Sequence, residues 1–116
     1  MTDRAEVLFH GKNAVLLPAY RKLRALLTGR LRCESYVATI YVGFSRNGRM
    51  VAAVYPRHGD HLEIALALPV DAKSPLLHDA RHLKWPTMQL AVAIRDDKSF
   101  MAVEPLIRRA VTGVEA

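Results

Sequence analysis

Residues 41–56 read YVGFSRNGRMVAAVYP, and their reading decides the fold class. Asn47-Gly48 is the strongest short-range hairpin signal, because a two-residue type I′ turn needs positive φ at both central positions. Counting outward from the turn sets Arg46 opposite Arg49. Phe44 then faces Val51, Val42 faces Ala53 and Ile40 faces Tyr55 on one side of the sheet. Ser45 with Met50, Gly43 with Ala52, and Tyr41 with Val54 take the other side. The strand before the turn reads as one continuous run from Val37, and both of its faces call for cover.

Two further strands follow the same rule. In HLEIALALP, residues 61–69, Leu62, Ile64, Leu66 and Leu68 alternate with Glu63, Ala65 and Ala67. In MQLAVAI, residues 88–94, Met88, Leu90, Val92 and Ile94 alternate with Gln89, Ala91 and Ala93. One face of the sheet is thus built of large branched side chains and the other mostly of Gly and Ala. Helices flank the strands. Pro18 suits a first helical turn, after which Tyr20, Leu23, Leu26 and Leu27 recur at helical spacing up to a stop at Gly29. Phe100, Val103, Leu106, Ile107, Ala110 and Val111 repeat that spacing at the end of the chain, with Pro105 marking a kink or a later start. The expected fold is α+β: two layers, a mostly antiparallel four-stranded sheet with helices packed on one face. Residues 1–116 form a single domain, 1–16 an N-terminal arm and 17–111 the core.

The order of these features, from the SYVATIYVGFSRNGRMVAAVYPRHGDHLEIALALPV run through an SP in the long connection to a final helix near LIRRAV, resembles the bacterial family catalogued as domain of unknown function 5655, with its YdhG-like α+β relatives. The resemblance covers residues 17–111. It implies a small cytoplasmic domain and brings no established reaction, substrate or cofactor, so it assigns no functional residues.

Composition narrows the function classes. The single cysteine, Cys33, excludes an internal disulfide and suits a reducing compartment. No basic n-region precedes an apolar core at the N-terminus, and no run approaches a membrane span, so a soluble cytoplasmic protein without a membrane partner is expected. The net charge is +6, and residues 18–57 hold eight basic side chains against one acid, Glu34. A basic half favours an acidic partner, a small anion or nucleic acid.

Local catalytic motifs are absent. There is no G-x-S-x-G and no glycine-rich phosphate loop, and the chain reads as a non-catalytic module that binds a small ligand or a protein partner, without a cofactor. His78 and His82 are four apart and would share one face of a short helix, the spacing of two zinc ligands, but Asp79 points elsewhere on the same turn and His58, His61 and Cys33 belong to other elements, so the site lacks a third ligand. No metal is therefore assigned. The 18 residues 70–87 are long for a connection in a compact domain, and such connections are usually functional. Folded over the small-residue face, they would make a pocket with Trp85 as one wall, Ala65, Ala67 and Ala91 as the floor, and Tyr41 and Met50 on the hairpin side. Lys84, Arg81 and His82 would orient an anionic group at its rim. A second copy of the chain is the other cover available to that face, giving a homodimer. The alternative function is a basic nucleic-acid-binding domain using Arg21, Arg24, Arg30, Arg32 and Arg57.

Overall fold

The computed structural model describes residues 4–113. It is an α+β fold with an antiparallel sheet, but the sheet has six strands rather than four. They are β1 (Glu34–Val37), β2 (Val42–Arg46), β3 (Arg49–Arg57), β4 (His61–Leu66), β5 (His78–Asp79) and β6 (Leu90–Ile94), in spatial order β1-β2-β3-β4-β6-β5. One added strand comes from the long run before the hairpin, which folds back on itself. Ala38 N–H donates to the Tyr41 carbonyl at 2.9 Å, and Thr39-Ile40 turn the chain without any Gly, Pro, Asn or Asp. The other is β5, which pairs with β6 from inside the long connection.

The register from Asn47-Gly48 begins as counted, with Arg46 opposite Arg49 and Ser45 opposite Met50. It then slips. A bulge leaves Val51 without a ladder partner, so that Phe44 meets Ala52, Gly43 meets Ala53 and Val42 meets Val54. Val51 and Ala52 both join the helix-side core, and beyond them the faces are exchanged relative to simple counting. Val54 packs under the helices, while Ala53 and Tyr55 point to the other side.

The helical layer is α1 (Leu17–Arg24) and α2 (Asp97–Thr112). Pro18 lies in the first turn of α1, where its missing N–H costs nothing. Gly29 does not end the segment; a wider turn, Ala25–Arg30, continues it and carries Leu26 and Leu27 into the core. Arg32 then takes the left-handed conformation, φ 58°, that brings the chain to β1. Asp96 caps α2 by accepting from Ser99 N–H at 2.8 Å while the Ser99 hydroxyl accepts from Asp96 N–H, a reciprocal capping box. Pro105 sits inside α2 on its exposed side, so the carbonyl it leaves unpaired faces water.

These elements bury Tyr20, Leu23, Leu27, Phe44, Ile64 and Ile107 in one core between helices and sheet. Residues 4–16 add to it: Phe9 stacks on Tyr20 with ring centroids 4.5 Å apart. Cys33 is buried here too, its N–H bonded to the Leu27 carbonyl at 2.8 Å, and burial pushes its thiol pKa up.

The turn at Thr39-Ile40 makes a testable difference. In an unbroken strand Ile40 would share the core face with Phe44; here it is 63% exposed and Phe44 is fully buried. Phe44→Ala should cost about 3–5 kcal/mol in urea denaturation, and Ile40→Ala should stay within about 0.5 kcal/mol. Comparable losses at both positions would restore the single long strand.

Candidate functional site

On the face away from the helices, one row of paired residues crosses the whole sheet. Tyr36 opposes Gly43, Gly43 opposes Ala53, Ala53 opposes Ala65, Ala65 opposes Ala91, and Ala91 opposes His78. The row is a trough floored by a glycine and three alanines, with a tyrosine at one edge and a histidine at the other. Gly43 lets the Tyr36 ring lie directly over it; a Cβ there would push the ring aside. The long connection lies over this trough: Leu83, Trp85 and Met88 pack with Ala53, Tyr55 and Ala65. Lys84 adopts a left-handed conformation, φ 63°, immediately before Trp85, and so redirects the chain as it leaves the preceding turn.

The next row carries the chemistry. Tyr55 opposes Glu63, and Glu63 is the one buried charged residue among those described. An unpaired carboxylate there would be costly, and three partners meet it. Arg57 donates from Nε to Oε1 at 2.7 Å and stacks its guanidinium 4.9 Å over the Tyr55 ring. His78 Nε2 lies 3.0 Å and His82 Nε2 3.2 Å from Oε2. Burial alone would push the Glu63 carboxyl up; hydrogen bonds from His78 and Arg57, and the charges of Arg57 and His82, outweigh it and hold the group below its ordinary value. An ionised carboxylate can only accept, so the His78 bond is donated from Nε2–H, while His82 Nε2 lies beside the same oxygen.

Beside this cluster stands an aromatic array. Trp85 Nε1 donates to the Tyr55 hydroxyl at 2.7 Å and meets Tyr41 edge-on, with centroids 5.4 Å apart. Tyr41 contacts Tyr55 at 5.3 Å, and its hydroxyl pairs with that of Tyr36 at 2.9 Å. Burial, joined by that hydrogen bond, pushes the Tyr36 phenol up to about 12. Tyr55 is raised by burial against the hydrogen bond from Trp85.

The residues expected to form a pocket are thus partly assembled. Trp85, Tyr41, Met50, Ala65 and Ala67 share one cluster, and Ala91 lies in the trough floor. Trp85 occupies the trough as well as walling it, half-buried. Of the rim residues, Arg81 is held by Asp79 through Nη2 at 2.9 Å, His82 turns to Glu63, and Lys84 is exposed. His78 and His82 do meet, although not from one helix: His78 is in β5 and His82 in a short 3-10 turn, Arg81–Leu83. Among the described residues no group of three His, Cys, Asp or Glu side chains is arranged to hold a metal ion. Glu63 itself, the centre of the site, is the residue that strand alternation singled out least, though it is the one charge among the Glu63, Ala65 and Ala67 positions that alternate with the core leucines and isoleucine.

The residues expected to meet nucleic acid separate. Arg21 pairs with Glu6 at 2.7 Å and Arg57 with Glu63, whereas Arg30 and Arg32 are exposed. Arg24 is half-buried against the helical layer. No helix among the described residues is long and apolar enough to cross a membrane. Compared with family models, with curated proteins and with solved structures, the chain finds no match.

Two measurements check this geometry. Glu63 has a folded pKa below its unfolded one, so its stabilisation is present above the ordinary glutamate range and disappears as pH falls through the lower folded value. Acid denaturation should therefore be less steep in Glu63→Gln, which should also lose about 1–3 kcal/mol at neutral pH; an unchanged acid limb would remove the ion cluster from the account. In a spectrophotometric titration one tyrosine should ionise near 12, and Gly43→Ala, by rotating Tyr36 off the trough, should return it toward the ordinary phenol range. Retention of the high value in that variant would break the link between Gly43 and Tyr36.

Proposed function

We propose that this chain is a non-catalytic ligand-binding module whose site is the trough side of the sheet, and that it takes a small planar molecule carrying an anionic group. The observation that carries this reading is Trp85. It is held by Tyr55 and Tyr41 in a fixed orientation, yet it is only half-buried and stands next to the exposed Lys84. A fixed aromatic face beside an unspent cation suits a planar ring bearing a carboxylate or phosphate. Arg57 and Arg81 do not compete for that group, because each already holds a carboxylate.

The non-catalytic part rests on the same cluster. Glu63 is kept ionised with both oxygens engaged, which makes it a poor proton donor. The one thiol, Cys33, lies in the other core with its pKa raised. The four residues of β1 are all exposed at the sheet edge, and this supports self-association as a second way of engaging a partner.

Trp85 emission tests the proposal directly. Titration with benzoate and nicotinate should give a saturable change in fluorescence, and Lys84→Ala should weaken it about tenfold or more. Trp85→Phe should cost only the hydrogen bond to Tyr55, about 0.5–1.5 kcal/mol. A loss of several kcal/mol, with no response to either compound, would make Trp85 a core plug and end the ligand reading.

A further inference from the structure

The hairpin of β2 and β3 places Arg46 directly opposite Arg49 at its tip. Like charges facing each other across a ladder destabilise it, and the turn itself needs only Asn47-Gly48. The fold adds more positive charge at the same end. Because β1 runs back along β2 with Glu34 opposite Ser45, the chain entering β1 begins beside the hairpin tip, and it brings Arg32 and Arg30 with it. Arg46 is close enough to Cys33 for its charge to oppose the rise of the thiol pKa. Had residues 32–46 run as one strand, about 45 Å would separate Arg32 from Arg46.

The contrast with the other arginines is informative. Arg21, Arg57, Arg81, Arg95 and Arg108 each hold a carboxylate. Arg30, Arg32, Arg46 and Arg49 hold none among the described residues, and Glu34, the one acid nearby in sequence, forms no ion pair with them. Arg32 also keeps a left-handed backbone, φ 58°, a conformation that costs a non-glycine residue about 1 kcal/mol. Four uncompensated guanidinium groups, drawn from three segments and accepted at some expense of stability, mark a surface whose counter-charge comes from outside.

We infer that this end of the sheet, Arg30, Arg32, Arg46 and Arg49, is a binding surface for the phosphate backbone of nucleic acid. Arg30 ends the wide helical turn, Arg32 lies in the link into β1, and Arg46 and Arg49 end β2 and β3, so the charges are spread over one end of the fold instead of being gathered in one enclosed site. Donors spread in this way fit a chain of phosphates; a single small anion needs an enclosed site. Contacts of this kind, guanidinium to phosphate, carry no sequence information. This surface is separate from the trough and stands or falls without it.

The test is fluorescence anisotropy with a short labelled DNA duplex of mixed sequence, titrated from low to physiological salt. Binding should weaken steeply with salt, and the double variant Arg46→Gln/Arg49→Gln should flatten the slope of log K against log salt by about two. Its melting temperature should be no lower than the parent's, since the opposed charges are gone. Arg95→Gln, which removes one positive charge elsewhere, should leave the slope unchanged. Absence of binding at low salt, an equal effect of Arg95→Gln, or binding to phosphatidylserine vesicles without binding to the duplex would each overturn the inference.

Discussion

A buried carboxylate must be satisfied or neutralised, and much of the trough side of this protein follows from how Glu63 is satisfied. Its position in β4 is fixed by the alternation of Leu62, Ile64 and Leu66 under the helices, which leaves Glu63 no choice but the opposite face. Arg57 reaches it from the end of β3, and two histidines reach it from the connection. The long segment between β4 and β6 is therefore tied to the sheet by charge as well as by packing. The cost of burying an ion is offset only when every oxygen finds a donor; here Arg57 and His78 donate from two strands and His82 adds its charge from a third element.

The small-residue row has the complementary effect. Gly43, Ala53, Ala65 and Ala91 keep the backbone bare across four strands, and large side chains from the connection and from the ends of strands can lie down on it. Tyr36, Tyr41 and Trp85 meet at the part of the trough nearest β1 and β2, whereas His78 closes it at β5. Polar and aromatic chemistry thereby accumulates on one side of the sheet, and the helical side is left to do the packing. A fold whose main core lies under the helices can carry a site on the smaller cluster across the sheet without loosening that core.

Much of this was legible in the sequence. The Asn47-Gly48 turn, the alternation in residues 61–68 and the helical spacing after Pro18 each rest on local stereochemistry, and each has its counterpart in the structure. What escaped had no local signature. Thr39-Ile40 reverse the chain with residues that ordinarily favour strands, so the turn exists because β1 gains pairing with β2, a tertiary reason. The bulge at Val51 is equally silent, since Val51, Ala52 and Ala53 are interchangeable by hydrophobicity, and only the packing of Val54 under the helices selects the shifted register. The two histidines drew notice for a helical spacing that the structure does not use. The better signal was Glu63: a lone charge alternating with Ala65 and Ala67 requires partners, and Arg57, His78 and His82 were the candidates within reach.

The one cysteine has a consequence of a different kind. Cys33 lies beneath the junction of the helical layer and β1, and its pKa is raised, so the native protein offers almost no thiolate to an electrophile. Reaction at that sulfur must wait until the Leu27–Cys33 contact lets go. The residue is thus a clock for the detachment of the wide helical turn from the edge strand: its rate of labelling counts openings at that seam, independently of anything bound on the other side of the sheet.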